Sequence, residues 1–268
     1  MQFSCLISVY IGDKPEFFKE ALMSIHRQTL KPSEIVLVND GPLTNELLDV
    51  QNAFIFMTRI PVKVLSLDKN QGLGVALQMG LEICNYDWIA RMDSDDISRK
   101  ERFQMQIECL KQDTSIDVLG TGIVEFNGRK QNIKLQPPSH KEIVSLLPFR
   151  NPVSHVTVMF RKEKALSAGG YVDCPYFEDY FLWARMISDG ALFKNIPVIL
   201  VDVRVGKSMV GRRHGISYIK KEFSFLVKFN RLNLSYNKFR FYFNSTLRLL
   251  LRLMPKMVLN IIYNSGLR

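Results

Sequence analysis

The chain has 268 residues, 47% of them hydrophobic, and carries 36 Lys and Arg against 26 Asp and Glu. That much apolar material builds one large domain, or a domain with an appendage, and excludes a disordered chain. The four cysteines, Cys5, Cys84, Cys109 and Cys174, form neither a CxxC pair nor a zinc-like spacing, so they read as reduced thiols in a reducing compartment.

In chain order, the N-terminal run MQFSCLISVYIGD lacks a basic leader and a long apolar core, so it reads as a buried strand and not as a signal peptide. Residues 3–10, 34–38, 62–67 and 87–92 are short, rich in β-branched or aromatic residues and bounded by turn formers, which predicts strands. Between them, 15–28, 43–57 and 73–85 carry helical spacing, as in Phe18, Leu22 and Ile25. This β-α-β-α order predicts a mainly parallel sheet with helices on both faces. A helix over Arg102 to Lys111, strands at 116–126 and 155–160 and a helix over 178–188 follow less regularly, which predicts a mixed sheet with an antiparallel part.

The tail differs. From Val203 onward there are fourteen basic residues against the single acid Glu222, so a near-neutral body carries a basic end. Ile216, Ile219, Phe223, Leu226 and Val227 form one apolar helical face, and Phe239, Phe243, Leu247, Leu250 and Met254 form another. Arg240, Arg248, Arg252 and Lys256 recur at multiples of four on the opposite side of that second helix. The apolar runs are far shorter than the ~18 residues a spanning helix needs, so the tail is expected to lie on a membrane without crossing it.

The stretch "ARMDSDD" at 90–96 crowds Asp93, Asp95 and Asp96 into four positions. Like charges that close repel and raise one another's pKa unless a cation or hydrogen-bond donors sit among them, and a bound divalent metal is the simplest resolution. In parallel sheets ligands bind beyond the carboxyl ends of the strands. "DSDD" follows the fourth strand and "NDG" at 39–41 the second, so both are expected to open onto one crevice.

Taken in order, "ALMSIHRQTLKPSEIVLVNDGP" (21–42), "NQGLGVAL" (70–77), "ARMDSDD", "GGYVDCPYFEDYFLWARM" (169–186) and "RVGKSMVGRR" (204–213) resemble the family 2 glycosyltransferases with the GT-A, Rossmann-like fold. The tail is similar to that of bacterial members that assemble O-antigen or capsule repeat units on a polyprenyl lipid. The resemblance implies a catalytic domain over 1–214, with a nucleotide-sugar half at 1–98 and an acceptor half at 99–214, and a basic amphipathic helical tail over 215–268. It further implies inverting transfer of a hexose from a UDP-sugar to a polyprenyl-diphosphate-linked saccharide, at the inner face of the cytoplasmic membrane.

Residue roles follow from that resemblance. Asp95 is expected to bind Mg²⁺ or Mn²⁺, with Asp93 contacting the ribose or a metal-bound water, and Asp96 to assist the start of the next helix. Ser8, Tyr10, Asp40 and Asn70 are assigned to the nucleotide-sugar, with the Tyr10 ring stacked on the base and Asp40 accepting from an imide N–H; Asp40 before Gly41 is equally a common turn pair. The usual Asn after that Tyr is replaced here by Ile11. Asp179 is expected to be the base that removes the acceptor's proton, with Glu178 contacting the acceptor. Gly169 and Gly170 fit a close approach of the acceptor or a plain turn. Arg212 and Arg213 suit a diphosphate, with a solvated loop as the alternative, and Gly206 stands where relatives often carry a metal-binding His; His214 is nearby but out of register.

Two rival classes are distinguishable in the sequence. A dinucleotide-dependent dehydrogenase is disfavoured because "GLGVAL" has Leu77 in place of a third glycine and follows the third strand, and a pyrophosphorylase because no glycine-rich basic loop opens the chain. A non-catalytic basic membrane-binding module remains distinguishable by its lack of UDP-sugar turnover; no nucleic-acid motif is present.

Overall fold

The computed structural model describes residues 1–128, 130–205 and 215–253. The first half forms β1 (Ser4–Val9), α1 (Pro15–His26), β2 (Glu34–Asn39), α2 (Asn45–Met57), β3 (Val62–Ser66), α3 (Leu73–Ile83) and β4 (Trp88–Asp93). Local chemistry sets these boundaries. Pro15 opens α1, where its missing N–H costs nothing; the Thr44 side chain accepts from Leu47 N–H at the start of α2; and Gly72, at φ 90°, turns the chain into α3. Then come β5 (Ile97–Ser98), α4 (Arg102–Gln112), β6 (Val118–Asn127), β7 (Lys130–Lys134) and α5 (His140–Leu146). A 3₁₀ turn (His155–Thr157), β8 (Met159–Arg161), α6 (Lys162–Ser167), α7 (Glu178–Ser188) and β9 (Phe193–Arg204) complete the body, followed by α8 (Ile216–Asn230) and α9 (Lys238–Leu251).

The described strands make one nine-stranded mixed sheet in the order β3-β2-β1-β4-β8-β6-β9-β5, with β7 paired to β6. β3, β2, β1 and β4 are mutually parallel, β8 runs antiparallel to both β4 and β6, and β9 is parallel to β6. The order reverses between β1 and β4, whose register places Ser8 opposite Asp93. A crevice opens at such a reversal, beyond the carboxyl ends of the strands.

Strand residues alternate between two core layers, as side chains on successive residues must. Leu6, Val36, Val38 and Ile89 pack under α3 and α7, whereas Cys5, Ile7, Leu37 and Ala90 face α1, α2 and α4. β9 was not foreseen because Pro197 interrupts it. The register jumps there from Thr121↔Ile196 to Gly122↔Ile199, so Pro197 sits in a bulge that needs no ladder hydrogen bond. The strand expected over 155–160 is shortened because Thr157 Oγ1 donates to Ser154 O and curls the chain into a 3₁₀ turn.

The inner sides of the tail helices belong to the α3/α7 core layer: Tyr218, Phe225, Leu226, Phe229 and Phe241 are buried there. Phe225 stacks on Phe177 with centroids 4.6 Å apart, and Phe229 stacks on Phe241. The apolar faces read from the sequence point mostly the other way. Ile216, Phe223, Phe243, Leu247 and Leu250 are exposed, and Phe239 is 80% exposed. Arg248 and Arg252, read from the sequence as lying on the side opposite the apolar face, converge on the fully buried Glu222. Met254 and Lys256 lie outside the described residues.

Candidate active site

β1 ends at the crevice. Ser8 is half-buried near the end of the strand, and Tyr10 beyond it is exposed, with its ring lying over Gly12. The loop that follows folds back, so Asp13 accepts from Tyr10 N–H at 3.1 Å and from Ser94 Oγ at 2.7 Å. Burial pushes the Asp13 carboxyl up, and Asp93 adds to the effect. Asp13 is thus a fourth carboxylate beside "DSDD" that sequence reading passed over, because it is distant in the chain.

At the end of β4, Asp93, Asp95 and Asp96 each bring an oxygen within 4.8 Å of the others. Burial, then the charges of Asp93 and Asp13, push Asp95 up to about 6. Asp96 is raised well above the ordinary carboxyl range by burial and by its two neighbours, and accepts from Arg204 N–H at 2.7 Å. Its expected service to the next helix does not occur, since α4 begins only at Arg102 and Asp96 points to the end of β9. Arg204 Nε also donates to Asp95 O at 3.1 Å, which clamps the loop. Three hard oxygen donors with strained charge fit a divalent cation such as Mg²⁺ or Mn²⁺.

The one cation inside this cluster's own strand is Arg91. It is 2% exposed and its Nη2 pairs with Asp93 Oδ1, while its Nε and Nη1 have no hydrogen-bond partner among the described residues. Its charge also reaches Glu178 and Tyr171. The acidic loop and the start of α7 therefore surround the same guanidinium. A lone Arg in the buried strand "DWIARM" was a readable signal.

Asp40 is buried, and its carboxylate accepts from Gln71 N–H at 2.7 Å and Gly72 N–H at 3.0 Å. Asn70 Nδ2 donates to Asp40 O, and a Cβ on Gly41 would lie 2.5 Å from Asn70 N. Asp40 therefore organises the loop entering α3, and Asn70 and Gln71 are left exposed on its rim.

Glu178 and Asp179 diverge at the start of α7, as expected of adjacent helical residues. Glu178 lies against Gly74, where a Cβ would meet its Cγ at 3.0 Å, and burial raises its carboxyl. Asp179 Oδ2 accepts from Asn151 Nδ2 at 2.7 Å. Tyr176, just before them, holds φ 73°, a conformation that non-glycine residues adopt only where the surroundings enforce it. Gly169 and Gly170, at φ 88° and 61°, serve the turn: a Cβ on Gly170 would meet Gln78 Oε1 at 2.0 Å, and that same oxygen accepts from Tyr171 N–H. Below them His155 Nε2 and Tyr171 OH lie 2.8 Å apart, and burial with the Arg91 charge keeps His155 neutral. Asn151, His155 and Tyr171 were not singled out from the sequence, since nothing local marks them. Gly206, Arg212, Arg213 and His214 lie outside the described residues.

Comparison with known proteins agrees with this geometry. The family model "Glycosyl transferase family 2" matches residues 4–170. The chain is 40% identical over 267 residues to the amylovoran biosynthesis glycosyltransferase AmsE of Erwinia amylovora, covering 97% of each chain. It is 35% identical to the Escherichia coli UDP-Gal:alpha-D-GlcNAc-diphosphoundecaprenol beta-1,3-galactosyltransferase, covering all of this chain and 97% of that one. Among solved structures, S. aureus TarS 1–349 in complex with UDP-GlcNAc superposes with TM-score 0.68 at 17% identity, over 88% of this chain and 68% of that one. The Pyrobaculum calidifontis mannosyltransferase PcManGT, in complex with GDP-Man and Mn²⁺, superposes with TM-score 0.63 at 14% identity, over 85% and 62%. The fold is GT-A.

Proposed function

We propose that this chain, which belongs to glycosyl transferase family 2, transfers a hexose from a UDP-sugar to a lipid-diphosphate-linked saccharide in surface-polysaccharide synthesis, with inversion at the anomeric carbon. The observation that carries the reading is the convergence of Asp93, Asp95, Asp96 and Glu178 around Arg91, with Asp179 beside Glu178 at the start of α7, at the strand ends where the sheet order reverses.

Asp95, with Asp93, holds Mn²⁺ or Mg²⁺, which when bound supplies the positive charge that a departing nucleoside diphosphate needs. Tyr10 and Ser8 line the nucleoside side of the crevice. Asp40 acts there by fixing the Asn70–Gly72 loop through two backbone amides. Across the crevice, Asp179 takes the proton from the attacking acceptor hydroxyl, and Glu178 orients that acceptor. The attack comes from the face opposite the leaving diphosphate. Arg212 and Arg213 are assigned to a diphosphate, of donor or acceptor, by the fit of a guanidinium to phosphate oxygens.

A lipid-linked acceptor places the enzyme at the inner surface of the cytoplasmic membrane. No helix among the described residues is long and apolar enough to cross one. The support is the outer side of α8 and α9, where Ile216, Phe223, Phe239, Phe243 and Leu250 stand exposed among exposed Lys220, Arg231, Lys238 and Arg240. The sole acid of that described stretch, Glu222, is buried and paired. Apolar surface rimmed by cations suits an anionic leaflet.

A panel of UDP-hexoses, tested against a GlcNAc-diphosphate-lipid analogue with Mn²⁺ or with chelator, tests the reading. Cation-dependent glycosyl transfer that inverts the anomeric configuration is expected. Transfer with retained configuration, or undiminished transfer in chelator, overturns the mechanism.

A further inference from the structure

The loop before the 3₁₀ turn is held from three sides. Tyr180 OH donates to Leu147 O, Arg248 Nη1 to Phe149 O, and Asn195 Nδ2 to Pro152 O. Asn151 lies within this pinned stretch, and its amide orientation is set by its partners. Its Oδ1 accepts from Val153 N–H at 3.2 Å, which leaves Nδ2 to donate to Asp179 Oδ2 at 2.7 Å. The contact joins residues 28 apart in sequence.

The turn alone does not demand asparagine. An Asp or Ser side chain accepts the Val153 N–H equally well, since such turns need only a side-chain oxygen. What asparagine adds is a donor on its far side, where Asp179 lies. We infer that Asn151 is a positioning residue for the transfer reaction: its amide fixes the plane of the Asp179 carboxylate and favours the ionised form that takes the acceptor's proton. The inference rests on the reading of Asp179 as the base.

The groups around Asp179 set the electrostatic surroundings of this bond. Glu178 precedes it on α7, Tyr171 faces it from the preceding loop, and Tyr180 follows it. Arg91 from β4 acts on Tyr171 and Glu178, and Arg248 from α9 stands beside Tyr180. His155 shares a hydrogen bond with Tyr171 and is neutral. Burial, with the Asp179 charge beside it, holds the Glu178 carboxyl up, so the two carboxylates repel, and the Asn151 N–H is a donor set against that repulsion.

Asn151→Asp separates this role from the turn. Its Oδ1 keeps the Val153 contact, but an oxygen replaces the N–H that met Asp179. Two carboxylates at that distance cannot both ionise, so they share a proton. With the UDP-hexose selected by the panel, the acid limb of the kcat/KM profile should move up by roughly one pH unit or more. Activity at pH 7 should fall roughly tenfold or more with the donor KM unchanged. Asn151→Ser retains a turn acceptor but cannot reach Asp179; kcat should fall roughly tenfold, again without a change in donor KM. If Asn151→Asp does not fold, Asn151→Ser decides alone. An unmoved acid limb in Asn151→Asp, or wild-type kcat in Asn151→Ser, overturns the inference. Asp179→Asn, run alongside, keeps the two claims apart: full activity there refutes the base, whereas an inactive Asp179→Asn beside an unshifted Asn151→Asp refutes only the positioning role.

Discussion

Replacing Asp95 by Asn removes one negative charge from a cluster whose members repel one another when no cation is bound. In the metal-free folded protein, burial and the charges of Asp93 and Asp13 push this carboxyl from its ordinary 3.8 up to about 6. Between those values the folded state holds a proton that the unfolded chain has released. Stability from this group is therefore full below the lower value, declines as pH rises, and is lost once pH passes the higher one. A shift of two units corresponds to roughly 3 kcal/mol, and partial solvation of Asp95 reduces the expectation to about 2 kcal/mol. In chelator at pH 7, Asp95→Asn should thus melt higher than wild type by about 4–8 °C, and the difference should vanish near pH 4. Mn²⁺ at a hundredfold its dissociation constant should stabilise wild type by ~2.7 kcal/mol and leave the variant nearly unmoved. Scanning calorimetry of both proteins, with chelator and with Mn²⁺, measures this without any turnover. A variant that melts lower than wild type in chelator, or a wild type indifferent to millimolar Mn²⁺ and Mg²⁺, refutes the assignment of the metal to this cluster.

Four further outcomes are expected. Asp179→Asn should cut transfer by ~10²- to 10⁴-fold with donor affinity little changed, measured by steady-state kinetics; a mild Asp179→Asn beside a crippled Glu178→Gln would reverse the two roles. Arg248→Met removes a partner from Glu222, which is fully buried, so about 3 kcal/mol of stability and roughly 6–12 °C in melting temperature should be lost; an unchanged melting curve would show that Arg252 alone suffices. A chain ending near Tyr236 should unfold for the same reason, and for loss of the Phe241 contacts, so it does not report on membrane binding. The triple change Phe239→Ser, Phe243→Ser, Leu250→Ser alters only exposed side chains, and should abolish flotation with anionic liposomes while leaving turnover on a short soluble acceptor intact; retained flotation would remove the outer face of α9 from the membrane contact.

The first half of the fold was legible because β1, β2 and β4 are parallel strands covered on both faces, and such strands must be nearly continuous apolar runs. The acidic loop was legible for a related reason: charge that follows a buried strand at a sheet's carboxyl edge has few structural uses. Asn151 and Asp13 were not, because their meaning lies in partners 28 and 81 residues away, Asp179 and Ser94, and no local pattern encodes that distance. β9 was hidden by Pro197, whose bulge is created by pairing with β6 and not by anything in its own segment.

The tail shows a different limit of periodicity. α8 has large apolar residues on two sides, Tyr218, Phe225 and Phe229 on one and Ile216, Phe223 and Val227 on another. A helical period detects both stripes and cannot say which one is covered. Glu222 points away from the correct choice, since an acid marks a solvent face in most helices, yet here it lies inside because Arg248 and Arg252 reach it from α9. The same pairing changes the electrostatic argument for the membrane. Two of the arginines that gave the tail its regular cationic stripe are engaged inward, so Lys220, Arg231, Lys238 and Arg240 are the exposed cations between them and the start of α8. Attachment should accordingly depend less on salt than the sequence charge implies, and more on the aromatic and leucine surface that the fold leaves uncovered.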